Sequence, residues 1–273
     1  MLSIRRPFLV GAHLRSAAAQ ARTDWSTTLT TCEKIDPVTR EWLASAWLKD
    51  ALEEHASVAA FARFTLHLLS LGAPAHLVMQ SQRASLDEIQ HAKMCFGLAA
   101  RYGQHSQGPA ALPLDGAFAV SSFEDIVRLA AEEGCVGETL GALLAREQLT
   151  MATDPAVVQV LERIQRDEQR HAELSWQFVA WAIKMGGPAI ARTVQESILH
   201  ACGATLNAPV KRYEHIDPVS WRAHGRVTCE EARGLASAGI DEIIRPALTT
   251  LLGGTPERAT DSHEAGERFS ASG

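Results

Sequence analysis

The chain is poor in several things at once, and each shortage removes a class of protein. Aromatic residues make up only 6% of its 273 residues, and long stretches such as 38–71 contain neither Gly nor Pro. Few sheet formers and few helix breakers favour helices over strands, so the chain reads as all-α. The five cysteines, Cys32, Cys95, Cys135, Cys202 and Cys229, include no Cys-x-x-Cys pair. That excludes a zinc ribbon or a rubredoxin-type iron site, and the odd count argues against a complete disulfide framework. No run of eighteen apolar residues occurs, so no membrane span is expected. A net charge of −6 gives no general attraction to polyanions, which disfavours nucleic acid as a partner. A cytoplasmic location is expected. The alternative, export through a twin-arginine signal at Arg5-Arg6-Pro7-Phe8-Leu9, is weakened by His13 and Arg15, which interrupt what should be an apolar region.

What is present is four long helical stretches. Residues 1–37 form an extension, with 7–18 read as extended chain, ending in the helix-opening pair Asp36-Pro37. The first helix runs from near Val38 to Leu71. Its apolar stripe, Val58, Phe61, Thr65 and Leu68, continues backwards onto Glu54, so a carboxylate points where the core should be. Gly72-Ala73-Pro74 turns the chain into a second helix that reaches about Tyr102. Residues 103–121, rich in Gly, Pro, Ser and Gln, make a long connection. A third helix opens at Ser121 or Ser122 and continues to about Met151, Ala152-Thr153-Asp154-Pro155 turns the chain, and a fourth helix reaches Met185 before Gly186-Gly187-Pro188. Connections that are short, long and short suit a bundle with one long crossover over 38–186. Residues 187–252 read as a helical extension and 253–273 as an unstructured tail.

The two helix pairs repeat one another. Asp87-Glu88-Ile89-Gln90-His91 follows one turn, and Asp167-Glu168-Gln169-Arg170-His171 follows the other, about eighty residues later. In Glu-x-x-His both side chains project from one helix face and can bind one ion. A single copy is commonplace on a solvated helix. Two copies at matched distances from matched turns, joined by one Glu from each remaining helix, supply four carboxylates and two imidazoles, enough for two divalent ions.

On these residues the chain resembles the ferritin-like di-iron carboxylate superfamily over about residues 40–185. The resemblance implies a ferritin-like four-helix bundle with N- and C-terminal extensions, and metal ligation by Glu88, His91, Glu168 and His171. Asp87 and Asp167 would orient the imidazole rings, each serving either its own helix's His or the facing one. Glu54, thirty-four residues before Glu88, is the expected ligand from the first helix, rather than Glu53 or His55. On the third helix Glu132, Glu133 and Glu138 compete. Glu133 is chosen because it stands thirty-five residues before Glu168 and lies on the stripe of Ile126, Leu129, Val136 and Leu140. Glu138, on a face of small residues, is the alternative ligand or a nearby acid. Gly134, Gly137 and Gly141 weaken this helix at about 1 kcal/mol each relative to Ala, which implies close packing or room for a substrate.

The cofactor implied is a pair of iron ions, with Mn/Fe as a variant. The expected activity is an O2-dependent oxygenase or hydroxylase that takes a small-molecule substrate and an electron donor. Ferroxidase or rubrerythrin-like peroxidase activity is the alternative, and a bundle with a structural metal site is the non-enzymatic reading. Only Tyr102 and Tyr213 occur, neither at helical spacing from the ligands, which argues against a stable tyrosyl radical.

Overall fold

The computed structural model describes residues 6–11, 13–29, 35–119, 121–209 and 217–253. Arg5 of the arginine pair, Cys32, Tyr213, His215 and the tail from residue 254 lie outside them.

Local chemistry sets the helix ends. Helix α1 (Pro37–Ser70) opens on Asp36, whose carboxylate accepts from the Thr39 amide at 2.9 Å, with Pro37 in the first turn. Helix α2 (Ala75–Gly103) follows the Gly72-Ala73-Pro74 turn, in which Gly72 takes a φ of 63°. Helix α3 (Phe123–Leu129) begins with a capping box between Ser122 and Asp125. It continues without a break into a π-helical segment, Ala130–Glu138, and then into α4 (Thr139–Met151). Helix α5 (Pro155–Asn207) is capped by Asp154 and kinks at Gly187, whose φ of 64° and following Pro188 interrupt the helical hydrogen bonds. Helices α6 (Pro218–Ala223), α7 (Cys229–Gly239) and α8 (Arg245–Leu251) complete the chain, with a short π turn over Ile240–Ile244 between the last two.

Among the described residues the protein is all-α apart from two small antiparallel pairs. The stretch expected to be extended forms β1 (Leu9–Val10) against β2 (His13–Leu14). Strand β3 (Ala19–Ala21) pairs with β4 (Gln107–Pro109), tying the N-terminal segment to the long connection between α2 and α3. Among the described residues, no helix is long and apolar enough to cross a membrane.

The long helices pack in pairs, α1 on α2, and α5 on α3, the π segment and α4, and the pairs meet where α2 contacts α5. The core divides into two large apolar parts, with a small third one around Phe8, Ala56, Ala60 and Ala117. One, around Leu43, Trp47, Phe96, Tyr102, Leu161 and Ile164, uses the first half of α1, the second half of α2 and the start of α5. The other, around Phe61, Phe64, Leu77, Ile126, Leu140 and Phe178, uses the opposite halves. Between them every long helix contributes buried polar residues: Glu54 from α1, Glu88 and His91 from α2, Glu138 from the π segment, Glu168 and His171 from α5. The C-terminal helices fasten to the outside through Arg226, fully buried, which donates to Asp50 at 2.5 Å and lies 4.8 Å from the Trp47 ring centre.

Candidate metal centre

On α1 the neighbours of the inward carboxylate turn away from the cluster. On α1, Glu53 pairs with Lys49 at 2.8 Å on the outer face and His55 packs edge-on to Trp25, which leaves Glu54 pointing in, fully buried. On α2 and α5 the three-residue spacing places Glu88 beside His91 and Glu168 beside His171, with Nδ1 of each imidazole turned towards carboxylates. Nδ1 of His91 lies 3.5 Å from Glu88 and 3.4 Å from Glu168, and Nδ1 of His171 lies 3.2 Å from Glu88 and 4.0 Å from Glu168. Glu88 and Glu168 therefore stand between the two rings, whose centres are 5.9 Å apart.

The donor atoms fall into two overlapping groups. Glu54, Glu88, His91 and Glu168 each offer an atom within 4.8 Å of the others, and so do Glu88, Glu138 and His171, with Glu88 common to both. Both oxygens of Glu168, one each of Glu88 and Glu138, and both Nδ1 atoms are buried yet make no hydrogen bond. Leaving a buried polar atom unsatisfied costs about 1–3 kcal/mol, and more for a charged group. Such a concentration in one place fits a site built for cations, and oxygen and imidazole donors suit divalent iron, manganese or zinc.

Each aspartate faces the far nitrogen of the histidine on the opposite helix. Nε2 of His91 on α2 bonds Asp167 of α5 at 3.1 Å, and Nε2 of His171 on α5 lies 3.6 Å from Asp87 of α2. Both aspartates face across the helix interface. Arg170 donates to Asp87 at 2.8 Å and to Asp167 at 2.6 Å, and Arg163 likewise donates to both. Neither arginine was singled out in the sequence, although both stand one turn from Asp167, at i−4 and i+3.

Protons and charges are balanced within the cluster. Burial by itself would lower the His171 pKa, but the neighbouring Asp87 and Glu88 carboxylates and the charge of Glu168 raise it to about 10. His91 is likewise raised against burial by Asp167, Glu168 and Glu88. Burial would push Glu88 up, but the two imidazoles outweigh it and hold the carboxyl well below its ordinary value. Glu138 goes the other way: burial and the charge of Glu168 raise it well above the carboxylate range despite Arg6.

The structure separates the two third-helix candidates. Glu138 joins the cluster. Glu133, the residue that repeat spacing favours, is also buried but lies 3.7 Å from Arg63 and belongs to neither donor group. The π segment accounts for this. Spacing along an α-helix assumes 3.6 residues per turn, whereas bonds from i to i+5 widen the turn and shift the phase of everything after it. The glycines at 134 and 137 and the weak α propensity they bring were the only sequence signal of this.

One further residue was not anticipated. Arg6 is 2% exposed, with its Nε 3.3 Å from Glu138 and its guanidinium 4.4 Å from the centre of the Phe61 ring. Beside the π segment lies a cavity of about 240 Å³, lined by Pro7, Glu133, Val136, Gly137, Leu140 and Ala204 among others. Cys95 is buried within the first apolar part of the core and forms no disulfide. No family model matches the chain, and no curated protein does.

Proposed function

We propose that residues 38–186 form a ferritin-like four-helix bundle with one long crossover, and that its buried polar slice holds two divalent metal ions in an O2-dependent oxygenase or hydroxylase. On this reading 1–37 and 187–252 cover the bundle, and 253–273 is a tail. The observation that carries the proposal is the convergence of buried carboxylates and two imidazole Nδ1 atoms, most of them without hydrogen bonds, midway along four packed helices. Glu54, Glu88, His91 and Glu168 would hold one ion, and Glu88, Glu138 and His171 the other, with Glu138 taking the place that spacing alone gives to Glu133. Iron is the metal proposed, and a manganese–iron pair meets the same donor set.

Bound there, a redox-active pair of ions supplies the O2 chemistry with which non-haem oxidoreductases oxidise organic molecules. The chain's own residues have three tasks. Asp167 bonds the far nitrogen of His91, and Asp87 faces that of His171 at 3.6 Å, so that each Nδ1 stays aimed inwards. Phe61, with its ring 4.9 Å from that of His171, and the two apolar parts of the core keep water away from the donor atoms. The cavity beside the π segment is lined by Glu133 and Gly137 and includes none of the donor residues, so a small substrate would have to reach the cluster past Glu138. Tyr102 bonds His224 at 2.9 Å within the C-terminal attachment, which does not support a radical role. An electron donor is a further partner on this reading, and the proposed location is the cytoplasm.

The test is anaerobic loading with Fe(II) followed by an O2 pulse. The expected result is about two iron ions per chain, oxidised by O2 and retained by the protein. Repeated oxidation with release of ferric iron would instead indicate a ferroxidase. Failure to bind stoichiometric iron would remove both readings.

A further inference from the structure

We infer that Arg6 is a positioning residue which competes with a divalent ion for Glu138, and so sets the affinity of the Glu88, Glu138 and His171 position. The inference rests on the metal-binding reading above and concerns a residue from outside the bundle.

Arg6 is held in the core by contacts from several elements. Its Nε stands 3.3 Å from Oε1 of Glu138, and its Nη2 donates to Ser175 Oγ at 3.3 Å. The Phe61 and Phe64 rings lie 4.4 and 4.9 Å from the guanidinium carbon, close enough for cation–π attraction. Its backbone carbonyl accepts from Ser57 Oγ at 2.8 Å, so the chain on which it enters is tied down as well. Gly134 leaves the space: a Cβ there would fall 2.6 Å from Nη2 and 2.3 Å from Ser175 Oγ. A costly glycine within a helix, opposite a buried arginine, is the mark of a seat shaped for that side chain.

The contacts of Arg6 gather on one side of the cluster. Ser175 lies one turn beyond His171 and donates to its carbonyl at 3.1 Å, and Phe61 packs on the His171 ring at 4.9 Å. The charge consequence follows from Coulomb's law in a poorly screened interior. A fixed cation beside Glu138 stabilises its carboxylate, but it repels any second cation that approaches the same oxygen atoms. A metal at this position must share Glu138 with Arg6 or displace it.

The experiment is titration of Zn2+ into the metal-free full-length chain, followed by calorimetry, with Glu138→Gln used to mark which binding step belongs to the Glu138 position. Arg6→Met, which keeps bulk and removes charge, should tighten the marked step at least about tenfold and leave the other within about twofold, while Arg6→Lys should stay near the parent protein. An unchanged or weakened marked step in Arg6→Met, or equal movement of both steps, overturns the inference alone. Absence of Zn2+ binding in the parent chain overturns the metal-binding reading along with it. Should Arg6→Met fail to fold, the parent protein still decides the matter. The 15N resonance of the Arg6 guanidinium should shift at the Zn2+ equivalent that fills the marked step, and an unmoved resonance throughout the titration rejects competition.

Discussion

His91 and Asp167 are partners across the helix interface: Nε2 of the α2 histidine bonds the α5 aspartate at 3.1 Å, although Asp167 also stands four residues before His171 on its own helix. The reciprocal pair, His171 and Asp87, faces the other way at 3.6 Å. Replacing a group that orients a ligating histidine usually weakens metal binding about 10–100-fold. Asp167→Asn and Asp87→Asn should each do so, Asp167→Asn mainly at the ion proposed for His91 and Asp87→Asn mainly at the ion proposed for His171. Competition with a chromophoric chelator measures this, and binding that is unaltered in both variants would rule out the orienting role.

The third helix offers a direct comparison of two buried acids. On the proposed two-ion reading, Glu138→Gln should lower bound metal from about two ions per chain towards one, whereas Glu133→Gln should leave the stoichiometry alone. Elemental analysis after gel filtration reads both, and the opposite pattern would return the ligand role to Glu133.

Chelator-treated protein should lose stability as the solution becomes alkaline. The folded-state pKa of His171 is raised to about 10, above its unfolded value near 6.5. A raised folded-state pKa means that the folded form holds the proton more tightly. Its contribution is fully present below about pH 6.5 and disappears as the pH climbs towards 10. His91 is shifted in the same direction and adds to the slope. Thermal melts of chelator-treated protein from pH 6 to 10 test this, and a flat or rising melting temperature would contradict the cluster's charge balance.

Gly134 should invert the usual rule for helices. Gly to Ala within a helix ordinarily stabilises by about 1 kcal/mol. At Gly203, where nothing lies within 4 Å of the added carbon, that gain is expected. At Gly134 the new methyl group would meet Ser175 and Arg6, and Gly134→Ala should be destabilising, by about 1–3 kcal/mol. Urea denaturation of the two variants side by side tests the sign as well as the size.

Removing Arg226 should cost more than any surface change. It is wholly buried, and taking it away removes the guanidinium that donates to the buried Asp50 carboxylate at 2.5 Å. Breaking such a pair from one side costs about 3–5 kcal/mol. Arg226→Ala should therefore lower the denaturation midpoint sharply, and a loss under about 1 kcal/mol would mean that the C-terminal helices contribute little to the core.

Much of this structure can be read from residues close together in sequence. Asp36, Ser122 and Asp154 act at the helix starts where their position and chemistry place them, and Gly187 with Pro188 interrupts α5 where the fourth helix is expected to end. The inward direction of Glu54 followed from one helical stripe. What could not be read depended on other causes. The phase of Glu138 depends on a π turn, which local propensity barely signals. The choice of partner for Asp87 and Asp167 depends on how α2 and α5 face one another. The placing of Arg6 depends on residues far along the chain, and its own neighbours in sequence resemble an export signal as much as a piece of core.

That distance has a consequence for the order of assembly. Arg6 precedes Ser175 by 169 residues, and Asp50 precedes Arg226 by 176. During synthesis Arg6 leaves the ribosome well before the serine that holds it, and Asp50 waits longer still for its arginine. Both connections close long loops, which local helix pairing does not need, so the hairpins should form first and the two buried arginines should lock last. Between those events the polar slice is open on the side that Arg6 later covers. On the proposed metal-binding reading, that interval is when the carboxylates would be most open to ions.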